Sequence, residues 1–249
     1  MALPLRRRIR NLFDPESNKP YKLSRSRLER FLKCPRCFYL DRRLGIDQPR
    51  GPAFTLNSAV DHLLKKEFDQ YREQGKPHPI MQKYGVDAIP YQDRKMDQWR
   101  ENFVGAQYHH EQTNLIITGA IDDIWVKPDG EFLIVDYKST SKDGEVTLED
   151  EWREAYKRQM EMYQWIFRGL GYQVNSTGYF VYANAVKEES AFQDKLVFKT
   201  IILPYDADDS WVEKAVIEAK ECLMQDSLPQ SSEDCDFCAY RKLAGEHNA

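Results

Sequence analysis

Apolar residues recur every three or four positions in several segments of the chain, with charged residues between them. This spacing places the apolar side chains along one face of a helix. Cys222 lies within the clearest such stripe, so it is predicted to be an ordinary core residue. That stripe consists of Trp211, Val212, Ala215, Val216, Ala219 and Leu223. The pattern predicts helices near residues 24–33, 57–74, 150–169 and 209–226.

Short apolar runs between turn residues predict the strands. These runs lie near residues 115–126, 131–138, 177–184 and 195–203. The first two runs are separated by Lys127-Pro128-Asp129-Gly130. Because Pro and Asp before Gly favour a tight turn, these two strands are predicted to form a hairpin. Residues 75–110 contain Gly75 and three prolines and are predicted to be an insertion of loop and helix.

The predicted hairpin carries two aspartates and a lysine among apolar residues. A short turn places Asp122 opposite Val135 or Asp136, and directly opposed Cβ atoms lie roughly 4.5–5.5 Å apart. Lys138 follows Asp136 by two positions, so both side chains point to the same face of the sheet. Because isolated buried carboxylates are costly, the pair predicts a site for a divalent metal ion. Ordinary surface charges and a structural Asp–Lys ion pair are the alternatives.

Four of the five cysteines form two Cys-x-x-Cys pairs, Cys34 with Cys37 and Cys235 with Cys238. Each pair brings two thiolates onto one turn, so two pairs predict a metal site. Two local disulfides are the alternative. The sequence near the N-terminus lacks the apolar segment of a secretory signal, so a cytoplasmic location is expected. Disulfides are rare in that compartment.

The composition is that of a folded globular protein: 249 residues, 41% hydrophobic and 12% aromatic. No apolar run reaches the ~20 residues of a membrane span. The net charge of −4 provides no general attraction for nucleic acid. Any affinity for nucleic acid must then come from local basic patches. The candidates include Arg25, Arg27, Arg30 and Arg158. For the helix that carries the first three, a solvated charged face is the equal alternative.

Taken in order, three motifs resemble a known family. They are Gly119-x-x-Asp122, an apolar strand ending in Asp136-Tyr137-Lys138, and Gln159-x-x-x-Tyr163. This set is similar to the RecB-like branch of the PD-(D/E)xK nuclease superfamily, and with the terminal cysteines it resembles the CRISPR-associated iron–sulfur exonucleases. The resemblance implies an α/β fold with a restriction-endonuclease-like core, a mixed central sheet flanked by helices. It also implies helical attachments and a cysteine-bound metal site that joins the N- and C-terminal parts.

The resemblance implies metal-dependent cleavage of phosphodiester bonds with Mg²⁺ or Mn²⁺. Asp122, Asp136 and the backbone carbonyl of Tyr137 are the implied metal ligands. Lys138 is implied to orient the attacking water or to stabilise negative charge on the phosphate. Gln159 and Tyr163 share one helical face and are implied to position the DNA backbone or the scissile phosphate. A core-facing tyrosine is the alternative for Tyr163.

An upstream helix of this family carries a histidine ligand in a Gly-x-x-Val-His-like context. Alignment on Val60 puts Asp61 at the ligand position, with His62 next to it. Neighbours on a helix point about 100° apart, so only one of the two can face the metal. Asp61 is the favoured ligand, and His62 is expected to face solvent.

The iron–sulfur relatives place one cysteine before the nuclease core and three after it. Cys34 matches the first of these, and Cys235 and Cys238 match two of the others. Ala244 stands where the last cysteine is expected, and Cys37 is an extra cysteine that could replace it. The resemblance favours a [4Fe–4S] cluster and the symmetric pairs favour Zn²⁺, so both remain open.

The expected organisation is a single nuclease domain over residues 1–249. Its parts are a basic arm (1–20), a cysteine metal-binding subregion (21–50 and 227–249) and a nuclease core (51–226) with an insertion at about 75–110. The expected function is a metal-dependent DNA nuclease, an exonuclease that acts on single strands or DNA ends. The alternative is a non-catalytic nucleic-acid-binding or assembly module. DNA is the expected partner, with a helicase or another repair or defence protein as a further candidate.

Overall fold

The computed structural model describes residues 7–49, 51, 54–149 and 153–246. The chain divides into two compact units. The first comprises Met1–Pro52, His109–Thr118 and Ser210–Ala249, and the second comprises Ala53–Tyr108 and Gly119–Asp209. Within the described ranges, no helix is long and apolar enough to cross a membrane. Residues 1–6 of the predicted basic arm lie outside the described residues.

The described residues of the first unit form four helices and a small sheet. Strand β1 pairs with β4 in parallel, with Tyr21 opposite Leu115, and β4 also neighbours β3. The strands are β1 (Tyr21–Ser24), β3 (Ala106–His110) and β4 (Leu115–Gly119), of which β3 and β4 extend by a few residues into the segments of the second unit. The helices are α1 (Arg25–Lys33), α2 (Pro35–Arg42), α7 (Val212–Met224) and α8 (Asp236–Glu246).

The second unit is built on a five-stranded sheet in the order β2-β5-β6-β7-β8. Strands β6 and β7 are parallel and the other neighbours are antiparallel, so the sheet is mixed. The strands are β2 (Ile89–Pro90), β5 (Asp123–Val126), β6 (Phe132–Thr140), β7 (Thr177–Ala185) and β8 (Phe198–Asp206). The helices are α3 (Thr55–Gln74), α4 (Pro79–Lys83), α5 (Lys95–Arg100) and α6 (Glu154–Gly169). The predicted α/β fold, a mixed sheet flanked by helices as in a restriction-endonuclease-like core, is confirmed.

Helices α3 and α6 pack on opposite faces of the sheet. The side chains of β6 alternate between those faces and contact both helices. Leu133, Val135 and Tyr137 join the apolar cluster that contains Leu64 and Phe68 of α3. On the other face, Phe132 lies against Phe167 of α6, with ring centroids 6.3 Å apart. Asp136 alternates with Val135 and Tyr137 along β6, so its side chain lies on the face of the sheet that α6 covers.

Several boundaries differ from the sequence prediction. The strand predicted over 115–126 is two strands, β4 and β5, which belong to different sheets. The chain between them leaves the ladder because the N–H of Ile121 donates to the carbonyl of Trp99 at 3.1 Å. The strand predicted over 195–203 runs from Phe198 to Asp206, and residues 150–152 of the helix predicted over 150–169 lie outside the described residues.

The sequence pattern also missed short elements. Strands β1, β2 and β3 have only two to five residues each, and α2, α4, α5 and α8 are short helices without a long apolar stripe. Residues 75–110, predicted as an insertion, supply β2, which pairs with β5 of the central sheet. The predicted turn is confirmed: the N–H of Gly130 donates to the carbonyl of Lys127 at 2.9 Å, and Gly130 has a φ of 88°.

Candidate active site and cysteine metal site

Asp136 lies in the middle of β6 and its side chain is fully buried. One carboxylate oxygen, Oδ1, accepts a hydrogen bond from Nε2 of Gln159 at 2.8 Å. The other, Oδ2, forms an ion pair with Nζ of Lys138, as the two-residue spacing predicts. The Lys138 ammonium also lies 4.5 Å from the ring centre of Tyr156, within the range of a cation–π contact.

Asp122 immediately precedes β5. The strand register pairs Asp123 with Val135, which brings Asp122 opposite Asp136. The N–H of Tyr137 donates to Oδ2 of Asp122 at 2.9 Å, and Nε of Arg100 donates to the Asp122 carbonyl at 2.8 Å. Both the side chain and the backbone of Asp122 are therefore held in place.

Lys65 of α3 lies between two of the candidate ligands. Its ammonium is 2.8 Å from Oδ2 of Asp61 and 2.8 Å from Oδ1 of Asp122. Asp61 therefore faces the same place as Asp122, whereas His62 is exposed. Sequence reasoning missed Lys65, although its four-residue spacing from Asp61 on a helix is a signal for this contact.

These charges set the direction of each pKa. Burial raises the pKa of Asp122, but the ammonium groups of Lys65 and Lys138 outweigh it, so the pKa lies below its ordinary value. Burial and the neighbouring Asp122 carboxylate raise the pKa of Asp61. Burial lowers the pKa of Lys138, but the carboxylates of Asp136 and Asp122 raise it further, so the net direction is upward.

Four of these charged groups line an open cavity of about 470 Å³, whereas Asp136 is fully buried. Its walls include Asp61, Lys65, Asp122, Tyr137, Lys138 and Tyr156. Among the described residues, the three carboxylates do not form a group whose ligand atoms all lie within 4.8 Å of one another. The two lysines instead provide the cations that face these carboxylates. The donor set, carboxylate oxygens in a solvent-accessible cavity, suits a hard divalent cation such as Mg²⁺ or Mn²⁺.

Gln159 and Tyr163 connect Asp136 to the segment that carries Asp122. Nε2 of Gln159 also lies 3.0 Å from the Tyr163 hydroxyl, which donates to the Ala120 carbonyl at 2.6 Å. Tyr163 is 3% exposed, so these contacts use its hydroxyl inside the protein. Gly119 allows the close approach of the ring, because a Cβ at this position would lie 2.6 Å from Cε1 of Tyr163.

Asp123 is a second buried carboxylate, next to Asp122. It was not singled out from the sequence. It is fully buried and forms ion pairs with Arg72 and with Arg100, the latter at 3.1 Å. The Tyr137 hydroxyl donates to its Oδ2 at 2.6 Å. Because a buried carboxylate needs such partners, this network fixes the start of β5 and therefore the position of Asp122.

The four predicted cysteine ligands come together in the first unit. Sγ of Cys37 lies 3.6 Å from Sγ of Cys235 and 3.6 Å from Sγ of Cys238, and Cys34 lies 3.9 Å from Cys238. All four sulfur atoms lie within 4.8 Å of one another. Burial raises the pKa of the Cys34 thiol, but the N–H groups of Cys37 and Ser232 and the neighbouring thiols lower it to about 7. Cys222 is buried, as predicted.

The predicted nucleic-acid-binding arginines have different surroundings. Arg27 and Arg30 lie 2.8 Å and 3.0 Å from Oδ2 of the buried Asp41, and both also pair with Asp47. These two guanidinium groups therefore neutralise acidic groups of the protein itself. The remaining two candidates, Arg25 and Arg158, are half-buried.

The chain was compared with family models, with curated proteins and with solved structures. The family model of the PD-(D/E)XK nuclease superfamily matches residues 53–243. A search of curated proteins finds no match. A crystal structure of SSO0001 aligns with a TM-score of 0.39 and 15% identity, covering 92% of this chain and 87% of that chain. A crystal structure of LHK-Exo in complex with dAMP aligns with a TM-score of 0.38 and 12% identity, covering 92% and 95%. Likenesses at this level carry no argument about function.

Proposed function

The chain belongs to the PD-(D/E)XK nuclease superfamily, and from this premise we propose that it is a metal-dependent DNA nuclease whose active site is the cavity around Asp122, Asp136 and Lys138. The observation that carries this proposal is that Asp122 and Lys138 line one open cavity, while the fully buried Asp136 forms an ion pair with Lys138. Exonuclease action on single strands or DNA ends, and membership of the RecB-like branch, are finer proposals that rest on the motif resemblance.

We propose that Asp61, Asp122, Asp136 and the backbone carbonyl of Tyr137 hold the divalent ion. When bound, Mg²⁺ or Mn²⁺ polarises the phosphate and lowers the pKa of a bound water. The first two carboxylates already share one cation, the Lys65 ammonium, at 2.8 Å from an oxygen of each. Their oxygens are therefore close enough for a single cation to contact both.

The protein's own groups act on the phosphate and the water. Hydrolysis forms one bond from phosphorus to the water oxygen and breaks the bond to the leaving sugar oxygen, which takes up a proton. Lys138 donates hydrogen bonds to the attacking water or to the phosphate oxygens, where negative charge accumulates. Asp136 holds the Lys138 ammonium in place. The N–H of Tyr137 and the side chain of Arg100 fix Asp122 beside it.

For Gln159 and Tyr163 we propose positioning roles in place of direct contact with the phosphate. Gln159 donates to Asp136, and Tyr163 donates to the Ala120 carbonyl, two residues before Asp122. The pair therefore sets the distance between Asp122 and Asp136, the two carboxylates that would hold the metal. Small errors in such distances have large effects on rate.

Tyr163→Phe is expected to slow cleavage by on the order of 10- to 100-fold, with DNA affinity within a few-fold of the parent. The variant removes the hydroxyl that holds Ala120 and Gln159, and it keeps the ring. Single-turnover cleavage and Mn²⁺ affinity, measured together, check this, because displaced carboxylates weaken Mn²⁺ binding as well. Tyr240→Phe is the matched control, since Tyr240 is 75% exposed. Unchanged cleavage and Mn²⁺ affinity in Tyr163→Phe would exclude the positioning role.

We propose that the cysteine site holds a single Zn²⁺ ion with a structural role. A tetrahedral ion with Zn–S bonds of 2.3 Å places its sulfur ligands about 3.8 Å apart. Three of the sulfur separations, 3.6, 3.6 and 3.9 Å, fit that arrangement. In a [4Fe–4S] cluster each thiolate binds a different iron, so irons and sulfides must lie between the thiolates. Four sulfur atoms within 4.8 Å of one another leave too little room for such a cube.

The experiment that tests the proposed function is cleavage of end-labelled single-stranded DNA, double-stranded DNA and RNA with Mg²⁺, Mn²⁺ or EDTA. Metal-dependent cleavage of DNA is the expected result, and a ladder that grows from one labelled end would establish exonuclease action. Binding to DNA without cleavage in any metal would favour the alternative, a non-catalytic nucleic-acid-binding module. A helicase partner and a cytoplasmic location stay predictions.

A further inference from the structure

The position of Lys65 is unusual for a basic residue beside candidate metal ligands. Its ammonium contacts the carboxylates of both Asp61 and Asp122 at 2.8 Å, and its side chain is only 21% exposed. It lines the same cavity as the residues proposed to act on the phosphate. Lys65 therefore joins carboxylates from two elements, helix α3 and the segment before β5, which lie 57 positions apart.

We propose that Lys65 takes the place of a second metal ion, so that the active site binds one divalent cation and uses the ammonium as its second positive centre. This inference rests on the proposed nuclease function. In two-metal nucleases a pair of ions stabilises both the attacking and the leaving oxygen of the displacement. Lys65 supplies charge and a hydrogen-bond donor and forms no covalent bond in the reaction.

The charge of the whole cluster, the buried Asp136 included, supports a single ion. The carboxylates of Asp61, Asp122 and Asp136 and the ammonium groups of Lys65 and Lys138 leave a net charge of −1. One divalent ion and one phosphodiester bring the total to zero. A second divalent ion would leave two positive charges without partners, which is costly in a partly buried site.

The lone pairs of the carboxylates also allow one ion beside the lysines. A carboxylate offers about four acceptor positions on its two oxygens. Two acceptor positions of Asp122 are already in use, one by the Lys65 ammonium and one by the N–H of Tyr137. The remaining positions can serve one metal ion while Lys65 stays in place.

The test is Mn²⁺ stoichiometry, measured by equilibrium dialysis and by electron paramagnetic resonance, on the full chain. Mn²⁺ prefers oxygen ligands, so it leaves the thiolate site occupied by its own metal. The parent is expected to bind one Mn²⁺ with the spectrum of an isolated ion. Lys65→Met, which removes the charge, and Lys65→Glu, which adds a carboxylate, are each expected to bind two Mn²⁺ with a spin-coupled spectrum. Lys66→Met, at the exposed neighbouring position, is the matched control and is expected to bind one.

Two Mn²⁺ ions on the parent, or one on the parent and on both Lys65 variants, would overturn the inference. If the parent binds two ions and cleaves DNA, the nuclease proposal stands without the role of Lys65. If the parent binds one isolated Mn²⁺ but cleaves no nucleic acid, the nuclease proposal fails, and the inference falls with it. Absence of Mn²⁺ binding to the parent would overturn both.

Discussion

Replacement of Lys138 by alanine is expected to reduce DNA cleavage by on the order of 10²–10³-fold, with DNA affinity within a few-fold of the parent. The loss is large because the ammonium acts where negative charge develops in the transition state. Binding changes little because one charge in the cavity contributes only a small part of the contacts along a DNA strand. Single-turnover cleavage at saturating enzyme, together with fluorescence anisotropy of labelled DNA, separates the two effects.

Two controls distinguish the loss of a catalytic group from the loss of the folded structure. Lys138→Ala leaves the buried Asp136 without its ammonium partner, which is destabilising by about 3–5 kcal/mol if nothing compensates. A melting curve and the retained DNA affinity show whether the variant is folded at the assay temperature. Lys66→Ala is the matched control for loss of a lysine, since Lys66 is exposed. Cleavage by Lys138→Ala at the parent rate would remove Lys138 from the mechanism.

Replacement of Cys34 or Cys238 by serine is expected to abolish stoichiometric metal binding at the cysteine site and to lower the melting temperature by on the order of 10 °C. The two residues are 204 positions apart in sequence and their sulfur atoms are 3.9 Å apart, so the metal closes a very long loop. Loss of the metal opens this loop, so the unfolded chain regains conformational entropy and the folded state is destabilised. Elemental analysis is expected to find one zinc and no iron per parent chain.

Cys222→Ser is the matched control for the cysteine prediction. Cys222 is also buried, but it stands outside the four-cysteine group and its thiol lies 3.8 Å from the Pro35 carbonyl. This variant is expected to keep the metal. Full metal content in both Cys34→Ser and Cys238→Ser would show that the cysteines do not share one ion. Four irons per chain with sulfide would replace zinc by a [4Fe–4S] cluster.

Local spacing allowed the sequence to predict much of the site. The two-residue step from Asp136 to Lys138 and the four-residue step from Gln159 to Tyr163 each fix a shared face, and the structure shows both pairs in contact. The turn at residues 127–130 formed as its Pro-Asp-Gly sequence predicts. The two Cys-x-x-Cys pairs indicated a metal site because each pair brings two thiolates onto one local turn.

The sequence pattern could not predict contacts between residues that are far apart along the chain. Lys65 and Asp122 are 57 positions apart, and the pairing of Asp61 with Lys65 is common on exposed helices. Asp123 lies next to Asp122, and only the strand register decides which of the two faces the buried arginines. The break between β4 and β5 depends on bonds from Ile121 and Ala120 to residues elsewhere in the chain, which no run of apolar residues indicates.

We propose that this protein hydrolyses DNA, and that the carboxylates beside Lys138 would hold the metal ion that the reaction needs. The most direct measurement is the single-turnover cleavage of end-labelled single-stranded DNA by the parent and by Asp136→Asn, each stripped with EDTA and then supplied with Mn²⁺. We expect that the parent cleaves only after Mn²⁺ is added and that Asp136→Asn, although it still binds DNA, does not cleave. Equal cleavage by the two proteins, or no cleavage by the Mn²⁺-loaded parent, would contradict it.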